Sequence, residues 1–400
     1  MILLSYRFDI SFKTIAGEAK SVTSEMTAPW LETTLPTILS RYPIENIFNA
    51  DEFGLFYQCS PNKTYHFKKE KCTGGKHSKV RLTGMAAGNA KGERLPMFVI
   101  GKSKNPRCFK GIKSFPCRYR SQPKSWMCSE LFEEWVRELD RSFGSKKRKI
   151  ALIVDNCPAH PAIDGLKWIE VIFLPPNTTS MTQPMDQGVI RALKAKYRSS
   201  AVKRLLYCLE KRKKMPKFSI LTAMTMLNNA WNSIPDRIFL NCFKKSGISV
   251  ESVEKALNDD DDPFASLDIE EDVIEDLQSD LEIMRGKFNI EVDVNATDLV
   301  DIDLEVCVSD ALSDADIIDG IMGHDYESEN DDDDDNEQPV ETLTKPDIKD
   351  VMNALSLLED YSLFSTFGAD IRKHVGEASR LVCLDTLARK KQCKIENYFT

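Results

Sequence analysis

The sequence predicts an α/β body, a mixed sheet flanked by helices, followed by a disordered acidic segment and a small helical tail. Three observations carry this. KIALIVD (149–155) and IEVIFLP (169–175) are short continuous apolar runs, the pattern of strands buried on both faces. KVRLTGMAAGNAKGERLPMFVIG reads as a hairpin, with strands near 79–88 and 95–100 joined by an Asn89–Gly92 turn. SELFEEWVRELDRSF sets Leu131, Phe132, Trp135, Val136, Leu139 and Phe143 on one helical face, with Ser129 as N-cap.

The other elements follow in order. PWLETTLPTILSR (29–41) is a short helical stretch interrupted at Pro36, and 46–59 alternates as a strand. Residues 101–125 combine Gly, Pro and basic side chains and read as irregular surface. Pro158–Lys167 is a short crossover. Thr182 caps a long helix from about Gln183 to Lys213, with Pro184 in its first turn. A helical pair near 218–232 and 235–245 closes the body. Residues 347–390 regain helical periodicity.

Charge divides the chain. Residues 251–350 hold 36 acidic and 5 basic side chains, while residues 1–250 carry a net charge of +22. A basic body suits a polyanion such as double-stranded DNA. The segment 251–345 has few aromatics and long aspartate runs, so it is expected to be a mostly disordered linker. Eleven cysteines without a C-x-x-C pair argue against a disulfide framework or a zinc ribbon, and imply a reducing compartment. No stretch approaches a membrane span. KKRK (146–149) and KRKK (211–214) are candidate nuclear-import or phosphate-contact patches.

Three aspartates are the candidate catalytic and metal-binding residues: Asp51 in a strand, Asp155 at the end of a strand, and Asp186 opening a helix. Thirty residues separate the last two. Converging carboxylates supply the hard oxygen ligands that Mg2+ or Mn2+ prefers, and a two-metal site cuts and joins phosphodiesters. Asp51 points most strongly to function, because strand interiors seldom carry an unpaired carboxylate.

NADEFGLFY, RLTGMAAGNAKGERLPMFVIGKSKNPRCFKG, LIVDNCPAH and FLPPNTTSMTQPMDQGVI resemble the pogo/Tigger branch of the mariner-type DDE transposases. That family includes domesticated proteins of the centromere-protein-B and jerky kind. The resemblance runs from about Gly17 to Phe243. It implies an RNase H-like fold over residues 45–245, a nuclear location, and metal-dependent strand cleavage and transfer. Asp51, Asp155 and Asp186 match the three metal-binding acids. Glu52, Asn156 and His160 would support them, and Gln183 and Pro184 would position the helix of Asp186. Phe53 stands where members often have Thr. DISFKTIAGEAKSV resembles the trailing end of the family's helix-turn-helix region, so residues 1–28 are expected to be its remnant, with terminal-repeat recognition weakened. The alternative expectation is a domesticated, non-catalytic DNA-binding or adaptor protein. Assembly as a homo-oligomer is a further expectation.

The C-terminal ARKKQCKIENYFT, within the tail at 347–400, carries a second motif. Gln392, Ile395, Tyr398 and Phe399 resemble the motif that docks on the replication sliding clamp, PCNA. One tight helical turn would gather the three apolar side chains into a plug beside Gln392.

Overall fold

The structure is a computed structural model that describes residues 24–58, 80–213, 218–249, 268–288, 294–304, 306–309, 347–362 and 368–389. Two helical segments open it, α1 (Ser24–Pro29) and α2 (Leu35–Arg41), joined by a π-turn over Trp30–Thr34. Pro36 does not stop α2, because it lies in the first turn, where no intrahelical N–H is needed.

The sheet strands are β1 (Ile47–Leu55), β2 (Leu82–Asn89), β3 (Phe98–Gly101), β4 (Arg118–Ser121), β5 (Ile150–Val154) and β6 (Ile169–Phe173). Their order is β4-β3-β2-β1-β5-β6. β1, β2 and β3 form an antiparallel meander, and β5 and β6 continue parallel to β1 on its other side. That is the RNase H-like arrangement, with β4 added parallel to β3 at the far edge. β4 lies within residues 101–125, where an irregular surface is expected. RYRS has no apolar alternation; its register with β3, the packing of Tyr119 on Phe109 and the pairing of Arg118 and Arg120 with Glu138 and Glu134 hold it.

β1 is buried along almost its whole length, which makes it the centre of the domain. Its odd positions Ile47, Phe53 and Leu55 enter one core, and Phe48 and Ala50 enter the other. The second core is covered by α3 (Ser129–Ser145), through the apolar face read from the sequence. Ser129 is the first helical residue rather than the cap, a position taken by Cys128.

The first core lies under the remaining helices. The long helix expected from 183 to 213 is interrupted. Thr179–Thr182 forms a short helix, α4, and Gln183 is extended. A π-turn spans Met185–Val189, and α5 runs only from Ile190 to Glu210. The break falls at Gly188, whose φ of 142° suits glycine. α6 (Ile220–Ser233) and α7 (Asp236–Lys245) follow, with Ser219 Oγ accepting from Thr222 N to cap α6.

Within the acidic segment, expected to be mostly a disordered linker, two stretches are helical, and much of the rest of 251–345 lies outside the described residues. Residues Asp268–Phe288 form α8 and Ala296–Asp301 form α9, and both pack on α5. Leu277, Leu281 and Met284 are fully buried at helical spacing, hidden in the sequence among acidic neighbours. Asp303 is also fully buried, accepting from Lys194 Nζ (2.6 Å), Arg198 Nη2 (2.7 Å) and Phe56 N (3.1 Å). The many acids and few aromatics of this stretch argue for disorder, but three apolar residues on one stripe are enough to seat a helix. α5 is therefore buried over most of its circumference, with Lys203 and Tyr207 left exposed, which is why its apolar residues show only an imperfect stripe.

A separate unit, residues 327–400, contains α10 (Ile348–Ser362) and α11 (Gly368–Arg389), which pack against each other. Residues 1–23 of the expected helix-turn-helix remnant lie outside the described residues. So do Gln392, Ile395, Tyr398 and Phe399.

Candidate metal centre and its support

The parallel register of β1 and β5 pairs Asn49 with Ile153. Extending it by two residues brings Asp51 beside Asp155, at the edge where β5 ends. Asp186 reaches the same place in the π-turn after the Gln183–Pro184 dipeptide. Its backbone N donates to Gln183 O (3.1 Å), as Gln187 N does to Pro184 O (3.1 Å). The expected role of Gln183 and Pro184 in setting this turn thus has a backbone basis.

Asp51 meets the other acids directly. Its carboxyl is held well above the usual carboxylate range, first by burial, then by the charges of Asp186, Glu52 and Asp155. A hydrogen bond with Asp186 adds to the shift. Carboxylates this close cannot all ionise without a counter-charge. The exposures differ. Asp51 and Asp155 are half-buried and Asp186 is exposed, so the cluster opens to solvent on one side.

Asn49 holds this geometry together, and sequence reasoning missed it. It is fully buried, donates from Nδ2 to Ile153 O (3.0 Å) and accepts at Oδ1 from Met185 N (2.9 Å). One side chain thus ties β1 to the strand of Asp155 and to the turn of Asp186. The signal was an asparagine in a strand two residues before an aspartate, on the same face.

Glu52 points away from Asp51, as alternation requires, and meets His160 on the α3 side. Its Oε1 is 2.8 Å from His160 Nε2, and both side chains are buried. His160 Nδ1 lies 2.7 Å from Asp155 Oδ1 and 3.2 Å from the Asp155 carbonyl oxygen. The ring stacks on Phe132 at 4.1 Å. Burial opposes charge on this imidazole, but Glu52, Asp155 and Cys157 outweigh it and hold the ring well above its ordinary range. His160 thus bridges Glu52 and Asp155 from behind the carboxylate edge. Asn156, the other supporting residue expected, is exposed.

The donor set fits a hard divalent cation. Burial and mutual repulsion leave the clustered carboxylates short of positive charge, a deficit that a cation relieves. Three carboxylates supply the oxygen ligands that Mg2+ or Mn2+ selects. Asp155, Cys157 and His160 also lie together, but both ring nitrogens of His160 already face carboxylates.

The basic residues are less available than composition implies. On α5, Arg191 pairs with Asp301 (3.5 Å), Lys194 and Arg198 with Asp303, and Lys203 with Asp280 (3.6 Å). In KKRK, Arg148 bonds Glu93 (2.7 Å) and Asn46 (2.6 Å), so part of that patch is a structural tie.

Comparison with known proteins agrees with these motifs. Residues 79–243 match the model of the DDE superfamily endonuclease. The chain is 32% identical over 362 residues to Tigger transposable element-derived protein 4 of Mus musculus, covering 89% of this chain and 68% of that protein. It is 35% identical over 223 residues to ARS-binding protein 1 of Schizosaccharomyces pombe, covering 51% of this chain and 41% of that protein. Among solved structures it is similar to the Mos1 transposase in a paired-end complex with the left transposon end. That likeness is at 12% identity and a TM-score of 0.37, covering 61% of this chain and 65% of that one.

Proposed function

Because the chain belongs to the Tigger family of transposable-element-derived proteins and carries its DDE domain, we propose that its body binds double-stranded DNA and cleaves and joins strands with Mg2+ or Mn2+. The observation that carries this reading is the convergence of Asp51, Asp155 and Asp186 at one edge of the sheet. These three would hold the ions. When bound, two such ions activate the attacking oxygen and stabilise the leaving one.

The chain's own residues prepare that chemistry. Asn49 fixes the spacing between the three acids. Glu52 and His160 hold Asp155 in one rotamer, the role of groups behind a metal ligand. The open side beside Asp186 leaves room for a phosphodiester. In the first step water attacks phosphorus and the P–O3′ bond breaks, leaving a 3′-hydroxyl and a 5′-phosphate. In the second, that 3′-hydroxyl attacks a target phosphodiester and displaces its 3′-oxygen. Asp155→Ala should abolish Mn2+-dependent nicking of plasmid DNA while leaving salt-sensitive binding close to wild type. Equal nicking by the variant would sink the assignment.

A non-catalytic DNA-binding or adaptor role is the second reading, favoured by a relative named for binding rather than cleavage. Either role belongs in the nucleus. A homo-oligomer would let two such sites act on paired DNA ends. The tail motif at Gln392, Ile395, Tyr398 and Phe399 supports docking on the sliding clamp, PCNA. A synthetic 388–400 peptide should bind PCNA, and Tyr398→Ala with Phe399→Ala should remove that binding. Unchanged binding by the double variant would discard the motif.

A further inference from the structure

Four of the six cations of α5 are paired with acids of residues 268–303, so this helix offers DNA less positive surface than its sequence implies. The loop between β3 and β4 offers more. A cavity of about 930 Å3 opens there. Lys104, Arg107 and Lys110 are exposed on its rim, and among the described residues no carboxylate lines it. Arg118 and Arg120, at its base, pair with Glu138 and Glu134 of α3.

The floor is aromatic. The Phe109 ring lies 4.5 Å from Phe115 and 4.9 Å from Tyr119. Tyr119 donates its hydroxyl to Ser103 O (2.6 Å), which pins the start of the loop to β4. Phe115 is 41% exposed, a large ring facing water among lysines. An aromatic platform with a cationic rim matches a ligand with a flat π-face and an anionic phosphate. An acidic peptide would use the rim but leave the platform idle.

Placement links the groove to the carboxylates. Through Leu82, Gly101 aligns with Leu55, so β3 ends four residues, about 13 Å, beyond the row of Asp51 and Asp155 on the same side of the sheet's end. β4 is three strand spacings from β1, about 14 Å. With the offset along the strands the loop lies about 19 Å from Asp51, which a DNA strand covers in roughly six base steps at about 3.4 Å each.

We propose that this groove takes one unstacked nucleotide of the strand flanking the carboxylate site, with its base on Phe115, which Phe109 supports from the side, and its phosphate on Lys104 and Lys110. The inference rests on the DNA-binding reading above and deepens it. The test uses the full chain and fluorescence anisotropy at fixed salt. The probes are a blunt duplex, the same duplex with a short single-stranded overhang, and a polyglutamate peptide. The wild type should prefer the overhang probe. Phe115→Ala should lose about fivefold or more on that probe and nothing on the blunt duplex, and Phe115→Trp should restore the preference. Lys104→Ala with Lys110→Ala should weaken both DNA probes and lower the salt slope by about two. Phe115 is exposed, so an unchanged melting temperature will show that its variants fold. Wild-type affinities from Phe115→Ala on both DNA probes overturn the groove and leave DNA binding standing. Tighter binding of the peptide than of DNA, lost on Lys104→Ala with Lys110→Ala, also overturns it. Failure of the wild type to bind either duplex overturns the DNA reading and this inference together.

Discussion

At Asp51 charge and burial are in conflict. Burial and three neighbouring acids raise its pKa, and the unfolded chain has no such neighbours. From about pH 4 upward the folded state therefore binds more protons at this cluster than the unfolded state does. Stability then falls as pH rises through that window, and a divalent cation reverses the loss. Asp51→Asn removes the conflict. In EDTA at pH 7 it should melt about 2–5 °C above the wild type, and added Mn2+ should close the gap by stabilising the wild type alone. A variant that melts below the wild type in EDTA would contradict this. The three acids were legible because each stood in a recognisable setting: a strand interior, a strand end and a helix start. His160 was legible only through resemblance. Asn49 was not identified at all, because its role lies in two contacts, to Ile153 and Met185, more than a hundred residues away.

Among the elements, α8 and α9 change the account of the acidic segment. They supply Leu277, Leu281, Met284, Leu299 and Val300 to the core, and Asp303 binds the two buried cations of α5. Removing one partner of such a cluster leaves uncompensated charge in the interior. Asp303→Ala should cost about 3–5 kcal/mol by urea denaturation. Replacing Asp303, Lys194 and Arg198 together by apolar residues should recover most of it. A loss below about 1 kcal/mol for the single variant would mean that the segment is a surface strap only. The strands and α3 were readable because their periodicity is local. The break at Gly188 was hidden because its flanks, MTQPMDQ and VIRALKAK, are each compatible with helix. β4 was hidden because RYRS has no apolar alternation, and its side-chain partners, Glu134, Glu138 and Phe109, lie elsewhere in the chain.

Across the whole molecule, charge has two uses. Part of the +22 of residues 1–250 is neutralised within the fold by acids from the following hundred residues. The exposed remainder includes the β3–β4 loop, on the flank of the edge that carries the acids. Bulk composition revealed the split but not the pairing, since that depends on which helix lies against which. The RNase H-like core follows from the meander and the two parallel strands, and the chemistry proposed for it rests on the junction of β1, β5 and the turn before α5. The most direct test is calorimetric titration of Mn2+ into the wild type and into Asp51→Ala/Asp155→Ala, repeated with duplex DNA present. Saturable binding by the wild type that disappears in the double variant is the predicted result. A folded wild type that binds no Mn2+, with or without duplex, would contradict the metal centre.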